Sequence, residues 1–181
     1  ETTEAVVAAI QGVDDILDAV TGTVKSQVVN VLKGGGEISG TAVDSVASVA
    51  SGAVQAAGKV GKSLTDVASG TMSGVIKGAS EVSGDVISAI RGGAKGIVQA
   101  TAETGGDVGA AAVSAVEGTI KSAGDVGADS AEAVKAAVGG AMEAATSVGG
   151  DASEKVRSAL LSATSLPRDV IESALKGSDK K

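Results

Sequence analysis

Aliphatic and polar positions recur along this 181-residue chain at a fixed interval of 22 residues. GVIKGASEVSGDV (74–86) aligns with GIVQATAETGGDV (96–108), GTIKSAGDVGADS (118–130) and GAMEAATSVGGDA (140–152). Upstream copies begin at 52, 30 and, in weaker form, 8, so seven copies fill residues 8–161. One apolar column is Ile10, Leu32, Val54, Ile76, Val98, Ile120 and Met142; another contains Val60, Val82, Val126 and Val148; a third carries Ile90 and Val134. Successive apolar columns are spaced by threes and fours, the rhythm of a helix, where a strand would alternate by twos. Six turns in 22 residues make about 3.67 residues per turn, an 11-residue periodicity that suits near-straight helices.

The pattern predicts an all-α protein of 22-residue (2 × 11) amphipathic repeats, forming long helices packed in a bundle or filament. A β-solenoid with 22 residues per coil is the alternative, favoured by the Val, Thr and Gly content. Residues 1–7 form a lead-in, residues 8–161 the seven repeats, and residues 162–181 a flank. In that flank, Pro167 starts a helix over about 167–176, with Ser165 as its cap, Gly177 as its stop and a frayed tail. Glycine costs helix stability, about 0.5–1 kcal/mol against alanine. Its recurrence at Gly52, Gly74, Gly96, Gly118 and Gly140 therefore predicts either close helix–helix approach or a helix that forms only on a supporting surface. Gly34–Gly36 and Gly92–Gly93 are the first turn candidates, followed by Gly105–Gly106, Gly139–Gly140 and Gly149–Gly150.

Composition narrows the chemistry. Cys, His, Phe, Tyr and Trp are all absent. No thiol nucleophile, imidazole base, disulfide or nitrogen–sulfur metal site can be built. Met72 and Met142 are the sole side chains that could ligate haem. A net charge of −7 and the absence of stacking aromatics disfavour nucleic acid. The longest uncharged stretch, Ser45–Gly58, is too short and polar to span a bilayer. Glycine runs such as GGDVG (105–109) lack the context of a phosphate loop, and Gly61-Lys62-Ser63 lacks the glycine five residues earlier. Asp85, Asp107, Asp129 and Asp151 are spaced as a ladder, but one carboxylate per 22 residues predicts a solvated helix face and not a calcium site. No catalytic residue, cofactor or metal is predicted. The start at Glu1 leads us to expect an extracellular or processed mature chain.

KGASEV (77–82) and GTIKSAGDVG (118–127) resemble the repeats of synucleins, perilipin-type lipid-droplet proteins and exchangeable apolipoproteins, with Lys77, Gly78, Glu81 and Val82 carrying the likeness. The resemblance is one of pattern, over the whole of 8–161, and implies amphipathic helices that cover neutral lipid or another apolar interface. The residues themselves favour a non-catalytic structural protein whose small-residue helices self-associate into a bundle or filament, with other copies of the chain as the expected partner (a homo-oligomer or filament). The interface stripe is then Ile10, Leu32, Val54, Ile76, Val98, Ile120, Met142, Val60, Val82, Val126, Val148, Ile90 and Val134. A stress-protective or ice-binding helical protein is a remote third reading.

Overall fold

The computed structural model describes residues 16–34, 40–82 and 84–178. Ile10, the lead-in, the Gly35–Gly36 part of the first turn candidate and the tail from residue 179 lie outside these. Every regular element among the described residues is helical, so the protein is all-α and the β-solenoid alternative fails. Eight α-helices follow one another: α1 (Ile16–Gly34), α2 (Gly40–Val60), α3 (Leu64–Glu81), α4 (Val86–Glu103), α5 (Val108–Ala123, followed by a 3-10 turn, Gly124–Val126), α6 (Ser130–Val148), α7 (Ala152–Ser162) and α8 (Arg168–Ser178).

Each repeat is one helix and one turn, so the helical repeats pack as a bundle with a break in every unit. The turn chemistry is periodic. Gly61, Gly105, Gly127 and Gly149 all take positive φ, between 66° and 81°, where a side chain would be strained. Two residues later comes the helix cap. Ser63, Asp85, Asp107 and Asp129 have extended backbone, and their side chains accept the N–H of Asp66, Ser88, Ala110 and Glu132. Asp85, Asp107 and Asp129 of the aspartate ladder are thus caps that satisfy otherwise unpaired helix N–H groups, and not a strip along a helix face, while Asp151 stands at the start of α7 without a side-chain cap bond. An 18-residue helix such as α3 or α4 makes five turns, and the connecting residues then complete 22. The combined count imitates six helical turns, which is why the apolar columns kept a helical rhythm across a break.

Gly92–Gly93 and Gly139–Gly140, named as turn candidates, lie inside α4 and α6; Gly105–Gly106 and Gly149–Gly150 do form turns. At the C-terminal end, α8 runs from Arg168 to Ser178. The carbonyl of Pro167 accepts the first helical N–H groups, from Val170 and Ile171. Ser165 is not the cap: its hydroxyl donates to Glu117 on α5.

Packing follows a rule of twos. Each helix makes its most extensive contact with the helix two along, so α1, α3, α5 and α7 form one row and α2, α4, α6 and α8 a second. Glycine makes this contact possible. A Cβ on Gly74 would lie 2.7 Å from the Thr21 carbonyl oxygen and 3.0 Å from the Lys25 nitrogen, and one on Gly118 would lie 2.8 Å from the Ser69 oxygen. Gly96 and Gly140 would strike the carbonyls of Ala47 and Arg91 in the same way. Gly78, one turn after Gly74, meets Lys25 and Val28, so the partner residues advance in step and the paired helices run parallel. The close-approach reason for the glycine column is therefore the one the structure bears out.

The spacing of these contacts is constant. Lys25–Gly74, Ala47–Gly96, Ser69–Gly118 and Arg91–Gly140 are each 49 residues apart, as is the hydrogen bond from Thr21 Oγ1 to the Gly70 oxygen. That is two repeats plus five residues, a stagger of about 7.5 Å along the helix axis. Between the rows lie two cores of Ala and Val with a few larger side chains, Met72, Ile76, Ile90 and Ile97 among them.

Candidate functional site

The stripe expected to mediate association is largely consumed inside the chain. Val54, Ile76, Val98 and Ile90 have no exposed surface, and Val134 and Met142 are also buried. Leu32 and Ile120 are half-buried and pack against the two cores. The column of Val60, Val82, Val126 and Val148 separates from the rest. These residues stand at helix ends: Val60 and Val148 close α2 and α6, Val82 is the C-cap of α3, and Val126 ends the 3-10 turn. Val148, 43% exposed, is the one exposed large hydrophobic side chain among the described residues. Val46 and Val156, in the column of Ile90 and Val134, are fully buried, and Val28, Val116 and Leu160 of a further column are fully or almost fully buried and belong to the stripe as well. Both methionines are buried in the core.

Charge is arranged across helices of one row. Arg91 and Lys95 on α4 both reach Glu143 on α6, at 2.9 and 3.1 Å, and Lys95 also reaches Asp44 on α2 at 3.2 Å. The network spans three helices and fastens the outer side of the contact that Gly96 and Gly140 make on the inner side. In the other row, Lys25 on α1 pairs with Glu81 on α3 at 2.6 Å. Burial works against the charge of Glu143, but hydrogen bonds from Arg91 and Lys95 outweigh it and hold the carboxyl below its ordinary value. Lys95 is raised, chiefly by its bond to Glu143. Asp85 is lowered by the backbone N–H and hydroxyl of Ser88 that it accepts as a cap. The sequence reading missed these pairs because their members stand between 48 and 56 residues apart. The signal was present in the repeat: opposite charges displaced by somewhat more than two periods.

A cleft of about 1180 Å³ opens between the start of α5 and α7, lined by Gly105–Ala110, Val148, Asp151, Lys155 and Ser158 among others. Its chemistry is already engaged. Asp107 caps α5, and Asp151, which makes no side-chain cap bond, pairs with Lys155 at 3.0 Å. Among the described residues no group of three acidic side chains is placed to hold a metal ion, and no helix is long and apolar enough to cross a membrane. Among the described residues one buried polar group lacks a partner. The Thr71 hydroxyl has none, whereas Thr101 and Thr119 bond back to the carbonyls of Ile97 and Ala115.

No family model matches the chain, and no curated protein matches it. The reading of function therefore rests on the architecture.

Proposed function

We propose that the chain is a non-catalytic structural protein, a rod made by the self-association of its own small-residue helices. The observation that carries this reading is the repeated contact of a buried glycine with the backbone of the helix 49 residues earlier. A surface-seeking amphipathic helix has no use for such a seat, because lipid imposes no fixed register. The aliphatic columns support the same reading, being buried against one another and not held open for a ligand.

Association inside one chain is favoured over an open filament by polar faces on the first and last described helices. On α1, the positions equivalent to the seated faces of α3 are Ser26 and Asn30, and both are exposed. At the other end α7 turns out Glu154, Lys155 and Ser158, and α8 turns out Arg168, Asp169 and Ser173. Polar faces of this kind oppose the stacking of a further unit on these helices.

Circular dichroism and light scattering across a hundredfold dilution in plain buffer test the proposal. We expect strong helix and a monomer mass at every concentration. Helix that grows with concentration would move the association to contacts between copies. A coil in buffer that becomes helical on adding a neutral-lipid emulsion would replace the rod with a coat for apolar interfaces.

A further inference from the structure

The constant 49-residue contact has a consequence for how the rod sets its length. We propose that the 22-residue unit is interchangeable, so that whole units can be removed or added while every remaining helix finds an equivalent seat; the molecule is a ruler graduated in single units. The inference rests on the structural reading above and goes beyond it, because a structural protein could equally hold its units in fixed, individually fitted places.

Three features of the chain carry it. The first is that the seats are made by backbone. Gly74, Gly96, Gly118 and Gly140 meet carbonyl oxygens or amide nitrogens, which every residue offers, and the side chains at the seats are as different as Lys25, Ala47, Ser69 and Arg91. The second is that the joints are alike. A turn with positive-φ glycine followed by a capping Ser or Asp recurs at Gly61/Ser63, Gly105/Asp107 and Gly127/Asp129. The third is that the specialised C-terminal contacts lie outside the central units. α7 rests on Gly109, where an added Cβ would come within 2.9 Å of Ala159, and α8 packs on α6.

Removing residues 86–107 is the cleanest case. Asp85 then takes over the cap of Val108 and its helix, Gly118 comes to the Ala47 seat and Gly140 to the Ser69 seat. Both seats already receive a glycine in the intact chain. The contacts of α5 with α7 and of α6 with α8 are retained.

The experiment compares three variants of the full chain: deletion of 86–107, tandem duplication of 86–107, and deletion of the eleven residues 86–96. We expect the first two to keep the helix content per residue, a monomer mass and one cooperative urea transition. Small-angle scattering should show the long dimension falling or rising by about 4 Å, half of an ~8 Å interhelical step, since each unit extends only one of the two rows. The eleven-residue deletion should lose the cooperative transition, because it leaves only residues 97–103 of α4, about two turns, and removes the seat glycine Gly96. Loss of cooperativity in both the deletion and the duplication would overturn the proposal. So would a rescue of folding by deleting two units (86–129) but not one, which would make the pair of rows the module, and so would an eleven-residue deletion that folds as well as the 22-residue one. Concentration-dependent assembly of the intact chain would refute the monomeric rod without touching these comparisons.

Discussion

The central helices and the C-terminal pair solve the same packing problem by opposite means. From α1 to α6, helices in a row approach until a glycine rests on the neighbouring backbone, and the core between the rows is mainly Ala and Val. In α7 and α8 the helices are 11 residues long, and burial depends on Leu160, Leu166, Ile171 and Leu175. Long helices bury enough small side chains to be held by many close contacts; short ones need bulk. Close approach makes the central region sensitive to any added atom, whereas bulk makes the C-terminal pair sensitive to any atom removed.

The sharpest way to break this contrast is to add a side chain at a seat. Gly96→Val should cost at least about 3 kcal/mol, because the obstacle is the Ala47 backbone and not a side chain that can move aside. Gly58→Ala is the control. Its Cβ would find only the Thr104 methyl at 3.8 Å, so helix propensity should dominate and raise stability by about 0.5–1 kcal/mol. Urea unfolding of both variants gives the comparison, and equal effects would remove the special role of the seat.

In the C-terminal pair the corresponding change is truncation. Ile171, fully buried, should lose about 2–5 kcal/mol as Ile171→Ala. The same chemical truncation at a central valine such as Val98→Ala should cost less, since fewer methyl groups leave. A central loss as large as the terminal one would show that bulk matters equally in both regions.

Effects near 1 kcal/mol test the polar fittings. Thr71→Val should raise stability by about 1 kcal/mol, since it removes a buried hydroxyl without a partner at nearly constant volume. The preceding repeat already has a buried valine there, Val49. Asp107→Ala should cost about 1 kcal/mol through the lost cap bond to Ala110. Asp151→Ala should have a smaller effect on the urea midpoint, because Asp151 makes no side-chain cap bond.

The smallest effect belongs to the charged network on α2, α4 and α6. Arg91→Ala should cost below about 1 kcal/mol and lose most of that difference in 1 M salt, as exposed pairs do. The pH dependence has a definite sign. Glu143 is depressed in the folded chain, so its contribution is complete above the ordinary carboxylate value of 4.5 and is lost as pH falls through the lower folded value. Lys95 is raised, so its contribution is complete below its ordinary value of 10.5 and is lost as pH climbs through the higher folded one. With no histidine in the chain, stability measured between those limits should stay flat.

The helical class and the 22-residue unit follow from the sequence alone, because spacing by threes and fours carries its meaning locally, whereas the glycine column left two purposes open until its backbone contacts were seen. Where each helix stops was less legible. Val60 and Val148 continue the apolar rhythm to the helix end, and the turn beyond them restores the phase, so periodicity cannot distinguish a break from a continuation. Asp107 looks the same in sequence as a cap or as a surface charge until the bond to Ala110 is formed. The 49-residue register, the division into two rows and the Arg91–Glu143–Lys95–Asp44 network were decided by the tertiary structure. They depend on which backbone each glycine meets, and that choice is made between segments two repeats apart, where no local propensity acts.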